Sequence, residues 1–250
     1  MSNRQHPPAR DGLLSTREQT TNQGRFGMVL ILLVVAVFFS ISAPDEPWAV
    51  LLTIVVLAAN LSIAMLASGA RAKVVRAWWG FAVLGVGASF YVAITQEPDV
   101  GSGYLAITSL LLTLVTMGAI ARRIWRHAEI SLLTVLGAVC IYVLVGLSFA
   151  FLFESVGYLG SQPFFASQER GSHGDFVYFS FITMATVGYG DLAPQGGVAR
   201  ALAVIEGLFG QIYLVTAVAA LVGNIGRARI PQQGGDKEAQ EEDCERKDGH

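Results

Sequence analysis

The segment Thr186–Gly190, Thr-Val-Gly-Tyr-Gly, has residue types and spacing that suit cation coordination. Gly188 and Gly190 can adopt positive φ without the steric penalty of a Cβ atom. Backbone that alternates in this way can turn successive carbonyls towards one axis, and rings of carbonyl oxygens can replace the hydration shell of a cation. Thr186 adds a hydroxyl ring at one end, while Val187 and Tyr189 can point away from the axis and brace the ring. The segment therefore predicts a cation pathway lined by backbone oxygens.

Other reactive constellations are missing from the sequence. We find no nucleophile–base set, no zinc-ligand spacing and no phosphate-binding loop. The two cysteines, Cys140 in an apolar run and Cys244 in a polar tail, have no second ligand at metal spacing, and we interpret both as structurally silent. The sequence therefore argues against a membrane enzyme and implies no cofactor other than a permeant ion.

The composition indicates a membrane protein. Of the 250 residues, 53% are hydrophobic and only 14% are charged, whereas soluble domains carry about 25% charged residues. A spanning helix needs about 20 apolar residues. We interpret six apolar stretches as spans 1 to 6, namely Phe26–Ala43, Trp48–Ala70, Ala77–Gln96, Val100–Ala121, Ile130–Phe153 and Ala201–Gly226.

Basic residues flank alternate connections between these spans. They precede span 1, join spans 2 and 3, join spans 4 and 5, and follow span 6, so the positive-inside rule places both termini in the cytoplasm. The predicted organisation is a disordered leader (1–24), a four-helix domain (25–126), a two-helix pore domain (127–228) and a disordered tail (229–250). A cleaved signal peptide is the alternative for span 1, but its leader and apolar run are both long for one.

Between spans 5 and 6 the chain contains an apolar stretch, residues 176–185, that is too short to cross a bilayer. It suits a half-spanning helix that enters from the outside and turns back. Irregular backbone at membrane depth is tolerated only when it is buried in protein or lines water. We therefore expect Thr186–Gly190 to line a pathway.

The residues Thr183–Asp191, Thr-Met-Ala-Thr-Val-Gly-Tyr-Gly-Asp, resemble the signature of the potassium-channel pore superfamily. The resemblance covers about residues 130–226; spans 1 to 4 share only number and hydropathy with that family. It implies K⁺ sites formed by the carbonyls of Thr186, Val187, Gly188 and Tyr189 with the Thr186 hydroxyl, inside a filter that ends at Gly190. It also implies a homotetramer around one axis, and a hinge at Gly210.

The support of this filter departs from the family pattern. Many relatives have a tryptophan pair where this chain has Tyr178 and Phe179. Asp191 usually bonds a partner on the pore helix, and Ile182 cannot serve as that partner. We therefore expect the Tyr178 hydroxyl to pair with Asp191 in support of the filter.

Glu206 lies inside span 6, where an ionisable residue indicates a functional role. One role is a buried brace on the back of the pore helix, with partners such as Thr183 or backbone amides. The other role is a cavity-lining carboxylate that raises cation occupancy. We favour the brace, because carboxylates at membrane depth usually pair.

Span 4 has no arginine, whereas voltage sensors carry several through the membrane. Basic residues after a span typically fix its cytoplasmic end and contact lipid headgroups, which is our interpretation of Arg122, Arg123 and Arg126. The alternative is a residual voltage sensor or a switch operated by anionic lipid. We therefore expect weak voltage dependence. A gate at the filter and a gate at a helix crossing are equally compatible with the sequence.

We thus predict an all-α plasma-membrane protein with six spans, a re-entrant pore helix and a filter, assembled as a homotetramer. Its function would be passive K⁺ conduction by multi-ion knock-on. A non-conducting modulatory subunit of a heteromeric channel is the alternative role. An uptake transporter would need several related pore loops in one chain, and this chain has one.

Overall fold

The computed structural model describes residues 27–42, 58–59, 62–63, 72–95, 98–126, 132–167 and 171–228. Six helices of three turns or more lie in these ranges: α1 Gly27–Ser42, α2 Ala72–Thr95, α3 Pro98–Arg126, α4 Leu132–Leu159, α5 His173–Met184 and α6 Gly196–Ala228. Over the same residues the only extended pairing is an isolated bridge between Phe165 and Pro194. The all-α prediction is confirmed for this part of the chain.

Four of the described helices are long and apolar enough to cross a membrane. Their apolar segments are Val75–Val92, Asp99–Arg122, Thr134–Leu159 and Gly196–Ala220. The α1 helix is apolar but shorter. The predicted second span lies outside the described residues except for 58–59 and 62–63, which are helical. A membrane protein is therefore supported, and the full set of six spans stays a prediction.

The helices α3 and α4 pack antiparallel through glycines at both ends of their contact. A Cβ atom on Gly103, near the start of α3, would lie 2.5 Å from Cγ of Leu159 at the end of α4. A Cβ atom on Gly137, near the start of α4, would lie 2.8 Å from Cδ1 of Ile124. Small residues let membrane helices approach closely. Buried residues between them, including Leu112, Ile120, Cys140, Leu144 and Leu147, form one apolar core.

An aromatic cluster fixes the segment between α4 and α5. It consists of Phe153, Phe164, Phe165, Phe176 and Phe179, which are all buried with ring centroids 5.0–5.9 Å apart. Two backbone hydrogen bonds join the same segment to the residues after the filter, from the Ala166 amide to the Ala193 carbonyl (2.9 Å) and from the Gln195 amide to the Phe164 carbonyl (2.7 Å). The cluster therefore positions the start of α5 and the chain that follows Gly190 together.

The start of α5 is fixed by a capping box. The Ser172 side chain accepts a hydrogen bond from the Asp175 amide, and the Asp175 carboxylate accepts one from the Ser172 amide. These contacts satisfy amides that have no partner inside the helix. In addition, His173 Nδ1 lies 2.9 Å from Glu154 Oε2 on α4, and the His173 ring stacks on Phe151. The C-terminal end of α4 thereby holds α5 at its first turn.

The contacts divide the chain into two units, Met1–Tyr213 and Leu214–His250. The first contains α1 to α5 and the N-terminal part of α6 with all predicted site residues. In the second, the described residues are the C-terminal end of α6, whose side chains Leu214, Val215 and Val218 are exposed.

Candidate filter and its support

The end of α5 is bonded to the first amides of Thr186–Gly190. The Thr186 amide donates to the Thr183 carbonyl (3.0 Å), and the amides of Val187 and Gly188 both donate to the Ile182 carbonyl, at 2.8 and 3.3 Å. The last carbonyls of a helix lack partners inside the helix, so these bonds use acceptors that α5 leaves open. Thr183, predicted as filter support, therefore contributes its carbonyl to the helix–filter junction.

The backbone of the segment alternates. Thr186, Gly188 and Gly190 have φ of 58°, 53° and 84°, whereas Val187 and Tyr189 between them do not have positive φ. Among the described residues, no donor is hydrogen-bonded to a carbonyl oxygen of residues 186–190. These oxygens are thus available to a ligand, which is the chemistry that the sequence motif predicts.

The positive φ at Thr186 was not foreseen from the sequence. Positive φ is uncommon for residues other than glycine, and for a β-branched residue it is a clear outlier. Strained backbone of this kind costs on the order of 1–3 kcal/mol and persists where the surroundings determine it. Here the Thr186 amide is bound by the Thr183 carbonyl and the next two amides by Ile182, so the end of α5 holds the left-handed conformation.

The side chains of Val187 and Tyr189 are 49% and 73% exposed in the single chain. The residues expected to brace the filter are therefore only partly covered by the part of the chain that the structure describes.

Tyr178 and Asp191 are joined directly. The Tyr178 hydroxyl donates a hydrogen bond of 2.9 Å to Asp191 Oδ2. We expected this pairing because the side chain of Ile182 cannot hydrogen-bond to Asp191. Desolvation, followed by the hydrogen bond to Asp191, raises the pKa of the Tyr178 phenol above its ordinary value. The hydroxyl therefore remains a donor to the carboxylate.

Glu206 lies at a junction of three helices and is fully buried. Its Oε1 atom lies 2.5 Å from the hydroxyl of Ser180 on α5, and that hydroxyl lies 2.7 Å from the Gly146 carbonyl on α4. Oε2 of Glu206 has no hydrogen-bond partner among the residues that the structure describes. The partner of Glu206 is thus Ser180 and not Thr183. Ser180 was missed, although it is a serine in the middle of α5, about one turn before Thr183.

Gly210 is buried where α6 passes the end of α5. A Cβ atom on Gly210 would lie 2.9 Å from the carbonyl oxygen and 2.5 Å from Cγ of Met184. The α6 helix continues through this residue without a break. Gly210 therefore allows a close approach of α6 to α5, and its role as a hinge stays a prediction.

The part of the chain that contains the filter segment is similar to known proteins. Residues 129–226 match the sequence model of a family described as ion channel. The match includes α5, the filter segment and the hydrogen-bonded pairs Tyr178–Asp191 and Ser180–Glu206. Over these residues the chain is therefore similar to an ion-channel family.

A particular relative supports the same class. A stretch of 73 residues, 29% of this chain, is 36% identical to the inward rectifier potassium channel Kirbac3.1 of Paramagnetospirillum magnetotacticum. The chain spans only about a quarter (25%) of the length of that relative. The similarity is therefore limited to one module and does not extend over either whole protein.

Proposed function

We propose that the chain is a subunit of a potassium-selective channel that conducts K⁺ passively. The observation that carries the proposal is the alternating backbone of Thr186–Gly190, whose carbonyl oxygens have no bonded donor among the described residues. K⁺ would be bound by the carbonyls of Thr186, Val187, Gly188 and Tyr189 and by the Thr186 hydroxyl. Stacked rings of such oxygens replace the hydration shell of K⁺.

Four copies of the chain would surround one axis, because one chain supplies one filter segment and a ring needs several. The exposed apolar side chains near the filter support this assembly. About half or more of the surface of Val187 and Tyr189 is exposed, as is that of Val204, Leu208 and Phe209 on α6. In a homotetramer the neighbouring subunits would cover part of this surface and help to brace the filter.

The channel would lie in the plasma membrane with six spans and both termini in the cytoplasm. The alternation of basic connections supports this orientation. Arg122 and Trp125 are exposed at the end of α3, and the cluster Arg122, Arg123 and Arg126 would there contact anionic headgroups of the inner leaflet.

Voltage dependence would be weak or missing. The α3 helix contains no basic residue before Arg122, and its buried polar positions are the threonines Thr108, Thr113 and Thr116. Each of these hydroxyls donates to the backbone carbonyl four residues earlier in α3. Between residues 100 and 121 this helix therefore offers no charge that a transmembrane potential would move through the membrane.

Expression alone in a cell deficient in K⁺ uptake tests the proposed role. Growth at low external K⁺ is expected with the wild type and with the control Gly197→Ala, since a Cβ atom on Gly197 meets nothing within 4 Å. Growth is expected to fail with Gly190→Ala, because φ at Gly190 is 84°. Surface expression of all three proteins without growth would instead indicate a non-conducting modulatory subunit.

A further inference from the structure

The strongest unexplained group is the buried carboxyl of Glu206. No described basic side chain pairs with it, and the ionisable side chain that interacts with it electrostatically, Tyr142 on α4, is an acid as well. An ionised carboxylate without a cationic partner is costly at membrane depth. A neutral carboxyl would avoid this cost, and the hydrogen bonds around Glu206 distinguish the two protonation states.

The Ser180 hydroxyl lies between Glu206 and the Gly146 carbonyl, so its one hydrogen decides which contacts are hydrogen bonds. A serine hydroxyl has one hydrogen to donate and two lone pairs to accept with. Its oxygen lies within hydrogen-bond distance of two oxygens, the Gly146 carbonyl at 2.7 Å and Glu206 Oε1 at 2.5 Å. A backbone carbonyl can only accept. If Glu206 were ionised it could also only accept, and one of the two contacts would be two oxygens without a hydrogen between them.

We propose that Glu206 is a neutral carboxylic acid that donates its proton to Ser180, while the Ser180 hydroxyl donates to the Gly146 carbonyl. Both short contacts are then hydrogen bonds. The unpartnered atom Oε2 is then the carbonyl oxygen of a neutral acid. Leaving such an oxygen without a donor costs far less than burying an unpaired charge.

This relay, the hydrogen-bond chain from Glu206 through Ser180 to the Gly146 carbonyl, joins three helices. Gly146 belongs to α4, Ser180 to α5 and Glu206 to α6. One turn further along α6, Gly210 contacts Met184, the last residue of α5. Glu206 is therefore a positioning residue that fixes α5 between α4 and α6, and through the end of α5 it fixes the filter. The consequence for selectivity rests on the proposed function, whereas the protonation state does not.

Infrared difference spectroscopy of the full-length protein in lipid bilayers tests the protonation directly. The wild type is expected to show the carbonyl stretch of a protonated carboxylic acid at neutral pH, shifted in D₂O and lost in Glu206→Gln. Ser180→Ala is expected to shift that stretch, because the acid loses its acceptor. Loss of a carboxylate band in Glu206→Gln, with no acid band in the wild type, would overturn the proposal.

Ion-permeability ratios separate positioning from charge. Glu206→Gln keeps an N–H donor for Ser180, so its K⁺/Na⁺ permeability ratio is expected to stay within about twofold of wild type. Glu206→Leu has no donor, so Ser180 loses the hydrogen bond that joins it to α6 and keeps only its bond to the Gly146 carbonyl, which predicts a loss of about tenfold or more. Equal losses in both variants would overturn the relay. A wild type that shows the acid band but does not select K⁺ would contradict the proposed function alone.

Discussion

The Tyr178 hydroxyl donates a 2.9 Å hydrogen bond to Asp191 Oδ2, and it links the middle of α5 to the residue that follows Gly190. The two partners lie on either side of Thr186–Gly190 in the chain, so their bond closes a loop around the filter. Loosening this loop should let the outer end of the filter relax.

Tyr178→Phe removes the donor and leaves the ring in place. We expect Tyr178→Phe and Asp191→Asn each to change the rate of slow filter inactivation, because each change weakens the same bond by about 1–3 kcal/mol. The double variant should then add little to either single one. An unchanged inactivation rate in Tyr178→Phe together with an altered rate in Asp191→Asn would disprove the pairing.

Gly210→Ala should destabilise the packing of α6 on α5. The added Cβ atom would lie 2.9 Å from the Met184 carbonyl oxygen, and overpacking of this kind costs about 1–3 kcal/mol. Thermal unfolding in detergent measures the loss.

Gly207→Ala is the matched control for Gly210→Ala. Its Cβ atom would lie 4.0 Å from the Thr183 carbonyl oxygen, which is an ordinary contact, and alanine favours the helix over glycine by about 1 kcal/mol. Equal destabilisation by both substitutions would mean that the close approach at Gly210 is not the cause.

Ser172→Ala should loosen the first turn of α5. The Asp175 amide loses the side-chain acceptor that now lies 3.2 Å away, and loss of an N-cap costs about 1 kcal/mol. Hydrogen exchange of the Asp175 amide is therefore expected to speed up by about fivefold. Ser161→Ala, in an exposed loop position, serves as the control. Unchanged exchange in Ser172→Ala would contradict the role of the capping box.

The conductance–voltage relation should be shallow, because α3 has no basic residue between Pro98 and Ala121. Neutralising the exposed Arg122 to Gln is expected to leave the slope unchanged. Recordings from planar bilayers provide the measurement. A steep sigmoidal curve that carries several gating charges would show that a voltage sensor exists after all.

The motif and the four apolar spans among the described helices could be predicted from the sequence because each depends on local residue type. Gly188 and Gly190 need no tertiary information to permit positive φ, and long apolar runs need none to favour membrane helices. The Tyr178–Asp191 contact could be predicted because Ile182, which cannot hydrogen-bond, left an acid without its usual partner.

Other features depended on packing between distant parts of the chain. The Ser180 partner of Glu206 arises where three helices meet, and hydropathy carries no signal for such a meeting point. The left-handed backbone of Thr186 depends on carbonyls that the end of α5 presents to the filter amides. Gly210 packs so closely against Met184 that a larger residue would clash. This packing explains the glycine without a hinge, and it could not be predicted from the sequence.

The reversal potential of the purified protein in liposomes, measured with K⁺ on one side and Na⁺ on the other, tests the proposed selectivity most directly. Gly190→Ala and Gly197→Ala serve as the filter variant and its matched control. We predict that the wild type and Gly197→Ala reverse near the K⁺ equilibrium potential and that Gly190→Ala loses this selectivity or its current. A wild-type reversal potential that follows Na⁺ would contradict a potassium filter at Thr186–Gly190.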